Sequence, residues 1–151
     1  MNEATTQTKS ECPRLDEQLC FPLYACAKEV VRQYRKPLEE LNLTYTQYIV
    51  MMVLWEHGTM TEGELGKIVR LDSGTLAPLL KRLDKAGLIN RIRPENNERK
   101  LSLALTEKGE ALKAKAVEVP PAMQGCIPLS EEELFLLRDL LNRALASMKT
   151  K

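Results

Sequence analysis

The sequence holds no C-x-x-C pair and only one histidine, His57. Its four cysteines, at positions 12, 20, 26 and 126, therefore match neither a zinc-ribbon spacing nor a disulfide-rich secreted scaffold. In a reducing compartment those thiols are free by default. Long apolar runs are missing as well. The longest, Ile49 to Trp55, falls far short of the roughly 20 residues that cross a bilayer. The polar stretch Met1 to Ser10 lacks the apolar core of a secretory signal, so a cytoplasmic protein with no membrane partner is expected. No internal repeat and no low-complexity tract is present. Nor does charge of one sign dominate: 22 Lys+Arg stand against 21 Asp+Glu, a net +1. That balance neither establishes nor excludes a nucleic-acid partner, because steering depends on where charges sit.

What is present is the composition of one core-forming domain, 44% hydrophobic and 28% charged over 151 residues, which excludes intrinsic disorder, collagen-like repeats and a fibrous coiled coil. Residues 1–14 read as a flexible arm. From Leu15 to Leu41, apolar residues recur every three or four positions, the period of an amphipathic helix. Pro22 confines the regular helix to a start near Leu19 or Cys20, because proline is tolerated in a first turn and not in an interior. A second helix should follow Thr44 and stop at His57-Gly58. Thr61-Glu62-Gly63-Glu64 is a capping box for a short helix, and Asp72 or Ser73 caps the next, which Gly87 closes. Two short helices a few residues apart form a helix-turn-helix candidate. After Gly87 the period changes to two, predicting a two-stranded hairpin around the turn Pro94 to Glu98. Thr106 should cap a helix running to Val119 that Pro120-Pro121 breaks, and Ser130 to Glu133 is a second capping box opening a leucine-striped helix.

Nine basic residues and four acidic ones lie between Lys67 and Lys100, a local charge of +5, which leaves −4 for the rest of a chain whose total is +1. Positive charge gathered on a helix-turn-helix and hairpin is the footprint of a DNA reader, since Lys and Arg neutralise phosphates and release counterions. The second helix would enter the major groove, with the hairpin tip flanking it. Ser73, Thr75, Lys81, Arg82 and Arg91 are the candidate contacts, and Arg99 at the hairpin turn is the candidate minor-groove probe. The helix start Ser73-Gly74-Thr75 is small and polar, open to close approach by bases or phosphates. Charge and spacing alone also fit a merely solvated surface.

Helices, helix-turn-helix, wing and two flanking helices, in this order and length, resemble the MarR family of dimeric winged-helix repressors, over residues 15–148. The segments Leu15 to Phe21, Leu43 to Tyr48, Val53 to Glu56 and Leu71 to Leu76 are similar to the organic hydroperoxide resistance regulators of that family. The resemblance implies a mainly α fold with a small β wing. Residues of about 44–105 would form the winged helix-turn-helix, and about 15–43 and 106–148 the dimerisation and sensing helices, in a single domain over 15–151. It implies that Cys20 is the thiol oxidised by organic hydroperoxide, that Tyr34 and Tyr45 hydrogen-bond its sulfur across the dimer, and that Cys126 stands where a subclass places a resolving thiol for an intersubunit disulfide. The wing departs from the family's usual Asp-x-Arg, reading Asn97-Glu98-Arg99.

Cys20 has a chemical reason of its own. In a first helical turn its sulfur faces unpaired backbone N–H groups and the positive end of the dipole, a setting that favours thiolate. Thiolate and peroxide give a sulfenic acid, which condenses with a nearby thiol. The residues alone also fit a small buried hydrophobe. Cys126 falls among Pro120-Pro121, Gly125 and Pro128, on a connector expected to move, while Cys12 and Cys26 read as bystanders. The expected partners are operator DNA, a second copy, organic hydroperoxide and a thiol reductant, with no cofactor, no metal and no catalytic turnover. Two other functions fit: a repressor released by a small phenolic ligand, and a thiol peroxidase. Apolar stripes on the first and last helices exceed what a small winged domain can bury, which predicts a homodimer.

Overall fold

The computed structural model describes residues 12–93 and 100–148. A short 3-10 turn, Leu15–Glu17, leads into helix α1, Cys20–Glu39. Pro22 is the third residue of α1, where its missing N–H would have had no partner in any case. Pro37 lies near the helix end, and the chain turns at Asn42, whose φ of 52° is one that an amide side chain tolerates.

Helix α2, Tyr45–His57, opens on a capping box in which Thr44 and Gln47 satisfy each other's backbone N–H, and Gly58 ends it at φ 73°. Helix α3, Glu62–Val69, opens on the expected Thr61/Glu64 box. After the turn Arg70-Leu71-Asp72, helix α4, Ser73–Lys85, is capped by Asp72, which accepts from the Thr75 amide at 2.9 Å. Pro78 sits inside α4.

The β-structure has one more strand than the hairpin predicted. Strand β1, Met60–Thr61, pairs with β3, Ser102–Leu105, which also pairs with β2, Ile89–Ile92, so the antiparallel order is β1-β3-β2. A two-residue strand is too short to show a period of two. Helix α5, Glu107–Ala116, is capped by Thr106 as expected but stops short of Val119. Pro120-Pro121 does not break a helix. The prolines lie in a separate short one, α6, Val119–Ala122, within its opening turn, where their fixed φ suits a helix start. Helix α7, Glu131–Ser147, opens on the Ser130/Glu133 box. The result is a mainly helical winged-helix fold with a three-stranded wing sheet.

Helix α2 is the centre of the core, burying Tyr48, Val50, Met51, Val53 and Leu54 against Leu65 of α3, Leu76, Leu80 and Leu83 of α4, and Ile89 and Leu103 of the sheet. The two flanking helices take little part in it. Only Leu38 of α1 and no residue of α7 is buried. Leu19 just before α1, Phe21, Leu23 and Tyr24 on α1, and Phe135, Leu136, Leu140 and Leu145 on α7 stand exposed. The apolar face of α7 is thus wider than the stripe Leu134, Leu137, Leu141, Leu145, the first three of which are half-buried. Burying one such side chain fully contributes roughly 1.5–3 kcal/mol, so these faces strongly favour a cover.

A close backbone approach locks α4 and the sheet to helix α5. The start of α5 lies so near the segment between α4 and β2 that a Cβ at Gly109 would fall inside the carbonyl oxygen of Leu88. The Trp55 indole donates to the Gly109 carbonyl at 2.9 Å, and the Thr106 hydroxyl to the Gly87 carbonyl at 2.6 Å. Lys108 Nζ reaches the Ala86 carbonyl at 2.8 Å. Gly109→Ala should therefore destabilise the fold by about 2–3 kcal/mol through overpacking against backbone, read as a lower urea midpoint. An unchanged midpoint would mean that α5 is free to move off Leu88.

Candidate functional site

Two groups of residues singled out in the sequence fall in different parts of the molecule. The first surrounds α4. Ser73, Thr75, Lys81 and Arg82 are all exposed on it. Ser73 is the first residue of α4, and the Thr75 hydroxyl donates to Asp72 Oδ2 at 3.1 Å while the Thr75 amide is taken by Oδ1. The helix start is therefore less open to phosphate than its small residues suggested, because a carboxylate already sits on its positive end. Those bonds from Thr75 hold the Asp72 carboxyl below the usual aspartate range.

Arg91, on β2 opposite Leu103, is half-buried; its Nε is buried and has no hydrogen-bond partner among the described residues. Arg99 and the turn from Pro94 lie outside the described residues. A groove of about 1090 Å³ runs between the starts of α3 and α4, lined by Glu64, Lys67, Arg70, Asp72 and Lys100 among others.

The second group is built on α1 and α2. The Tyr34 and Tyr45 rings pack tilted by 44° with centroids 4.6 Å apart, and Tyr48 follows at 6.1 Å from Tyr34. Burial pushes the Tyr34 phenol above the ordinary tyrosine range, helped by the neighbouring Tyr45, Tyr48 and Cys126. Burial raises Tyr45 and Tyr48 too. All three remain phenols, able to donate, at neutral pH.

Cys126 belongs to the same cluster. It is half-buried and packed against the core, its carbonyl accepts from Gln33 Nε2 at 3.4 Å, and its amide donates to the Met123 carbonyl at 3.1 Å. Both backbone polar groups of Cys126 are thus hydrogen-bonded. Beside Tyr45 opens a cleft of about 580 Å³ lined by Val31, Arg35, Leu38, Leu43 and neighbouring residues.

Cys20 is not part of that cluster in a single chain. It is the first residue of α1, as expected, and it is exposed rather than a buried hydrophobe. Fourteen residues of continuous helix separate it from Tyr34, about 21 Å at 1.5 Å per residue. Cys12 and Cys26 are exposed. Gln33, Arg70 and Trp55 make long-range polar contacts that the sequence did not foresee, and Tyr48, readable from its spacing as a core or interface aromatic, joins the cluster. Only Tyr48, one helical turn from Tyr45, had a spacing that pointed to its neighbour.

Residues 32–116 match the family model of the transcriptional regulators SarA/Rot. An organic hydroperoxide resistance transcriptional regulator of Bacillus subtilis is 43% identical over 145 residues, 96% of this chain and 99% of its own length. AbfR of Staphylococcus epidermidis has been solved reduced and bound to DNA, with a TM-score of 0.72 at 32% identity over 89% of this chain and 94% of that one. Its overoxidised form, also bound to DNA, gives 0.72 at 32% over 89% and 96%, and its disulfide form 0.62 at 33% over 88% and 90%. MarR of E. coli with operator DNA gives 0.76 at 25% identity over 84% and 93%.

The carboxylate caps of α3 and α4 contribute to stability toward acid. Glu64, bonded to the Thr61 amide and hydroxyl, and Asp72 both titrate below their ordinary values of 4.5 and 3.8. A carboxyl with a depressed folded-state pKa contributes stability that is complete above the unfolded value and is lost as pH falls through the folded one. Melting temperature should drop between about pH 5 and about pH 3, and the drop should shrink in Glu64→Gln/Asp72→Asn, whose side chains still cap but no longer titrate. Equal drops in both proteins would assign the acid limit to other groups.

Proposed function

Because the chain belongs to the MarR family of winged-helix regulators, on the organic hydroperoxide resistance branch, we propose that it is a DNA-binding repressor whose thiols sense organic hydroperoxide. It works as a homodimer. The exposed apolar faces of α1 and α7 cover one another between two copies, and the two α4 helices read half-sites about one helical turn apart. Ser73, Thr75, Lys81, Arg82, Arg91 and Arg99 contribute the DNA contacts.

The observation that carries the switch is the length of α1. Tyr34, Tyr45 and Cys126 are gathered in one subunit, and the Cys20 of that same subunit is about 21 Å away along an unbroken helix. A disulfide needs Cα atoms roughly 4.4–6.8 Å apart, so the thiol that reaches this cluster comes from the second copy.

The chemistry balances without turnover. Cys20 thiolate attacks the peroxide oxygen, the O–O bond breaks, and the alcohol leaves with a proton as the sulfur becomes sulfenic acid. The Tyr34 and Tyr45 phenols hydrogen-bond the sulfur and hold it for the second step. There the Cys126 sulfur of the facing subunit displaces hydroxide, which departs as water, and a disulfide forms. A thiol reductant returns two electrons and two protons and restores both thiols. Because Cys126 is packed on α1 and α6, drawing it toward a new bond strains the helix frame that carries the readers. That strain is the proposed cause of release, and AbfR solved overoxidised while bound to DNA suits a switch that needs the disulfide rather than oxidised sulfur alone.

A gel-shift titration with organic hydroperoxide followed by dithiothreitol tests the reading. The wild type should release DNA and rebind after reduction, Cys20→Ser should bind and ignore peroxide, and about one equivalent of hydroperoxide should be consumed per dimer thiol pair. Continued consumption of excess peroxide under reductant would make the protein a peroxidase. On the DNA side, Lys81→Ala should weaken binding across sequences and reduce the salt slope by about one unit. An unchanged slope would leave Lys81 a solvated surface residue.

A further inference from the structure

Arg70 belongs to the basic run of the helix-turn-helix, yet its side chain turns away from a DNA role. Its guanidinium Nη2 donates to the carbonyl oxygen of Leu145 at 2.7 Å, across 75 residues of sequence. Leu145 lies in the last turn of α7, where carbonyls have no partner within the helix, and that turn has no basic residue of its own. Arg70 thus supplies the cation that a helix C-terminus favours. Apart from the Ser130 capping box at its start, it makes the one side-chain hydrogen bond between α7 and the rest of the subunit among the described residues.

The backbone at Arg70 is unusual for an arginine. It caps α3 in the left-handed region, φ 55° and ψ 40°, with its N–H on the Gly66 carbonyl. Glycine or asparagine adopts that conformation at less cost. The arginine is therefore placed here for what its side chain reaches rather than for the turn.

We infer that Arg70 is a positioning residue, tying the turn between α3 and α4 to the end of α7 so that the separation of the two recognition helices follows the packing of the dimer helices. This rests on the DNA-reading dimer proposed above. A rigid tie at this point fixes α4 against the dimer frame. Without it, each reader swivels on its own and a dimer tolerates more than one spacing of half-sites. Arg70 is not, on this inference, a phosphate ligand.

The test uses Arg70→Asn and Arg70→Gly, both compatible with the left-handed turn, so that each keeps the fold while losing the guanidinium. The probe is a duplex selected by the wild-type protein from a randomised pool, together with versions that have one base pair inserted or removed between its half-sites. Both variants should melt no lower than wild type and stay dimeric by light scattering. They should lose about five-fold or more of the wild type's preference for the selected spacing, with the salt slope unchanged. A slope shallower by about one unit with spacing preference intact would make Arg70 a phosphate contact. Spacing preference and slope both as in wild type would overturn the inference and leave DNA reading standing. Failure of the wild type to select any duplex would instead remove the DNA-reading proposal and this inference with it.

Discussion

Helix α1 is a rod of 20 residues, about 30 Å long, and its rigidity constrains everything built around it. One end holds an exposed cysteine in a first helical turn, and the other holds Tyr34 against Tyr45, with Cys126 alongside. A flexible segment could fold one end onto the other within a chain, but a helix cannot. In the proposed switch the chemistry that joins those groups is done between chains, which ties the chemical site to the assembly. The apolar surface on α1 and α7 that a single chain leaves uncovered points the same way from an independent quantity, area in contact with water.

The reading part is coupled to α2 and α5 by close packing, and to α7 by the Arg70 bond to Leu145. Gly109 lets α5 sit against the Leu88 carbonyl, the Trp55 indole closes the gap from α2, and Lys113 Nζ reaches back to the Trp55 carbonyl at 3.3 Å. Contacts of this kind have little slack, because interiors are close-packed and respond to displacement as units. A motion imposed on α1 or on the connector at Cys126 therefore has a stiff route to α4 and the wing. Surface ion pairs such as Arg32–Glu29 and Arg143–Asp139 are exposed and too weak to carry it.

The sequence made the reader more legible than the sensor. Capping boxes at Thr61 and Ser130, the Asp72 cap and the stop at Gly58 act over four or five residues, so local spacing was enough to find them. Strand β1 was missed because two residues have no period, and the end of α5 because nothing local marks Ala116 as the last turn. Pro120-Pro121 read as a break when the same residues start a helix, since proline is compatible with both. Pairings across long stretches of sequence were invisible. Gln33 with Cys126, Trp55 with Gly109 and Arg70 with Leu145 are 93, 54 and 75 residues apart, and no spacing rule connects them. Tyr34, Tyr45 and Cys126 came forward through family resemblance, and Cys20 through that resemblance together with its place in a first helical turn. Their gathering into one cluster minus Cys20 is a property of the folded chain.

The central claim is that the reactive thiol and the thiol that captures it belong to different subunits. Mixing Cys20→Ser with Cys126→Ser protein tests this directly, since a heterodimer of the two retains one Cys20 facing one Cys126 across the interface, while neither homodimer has both. After exchange of subunits and treatment with organic hydroperoxide, a non-reducing gel should show a covalent dimer in the mixture and none in either variant alone. A covalent dimer in one variant by itself, or its absence from the mixture when the wild type forms one, would contradict the claim.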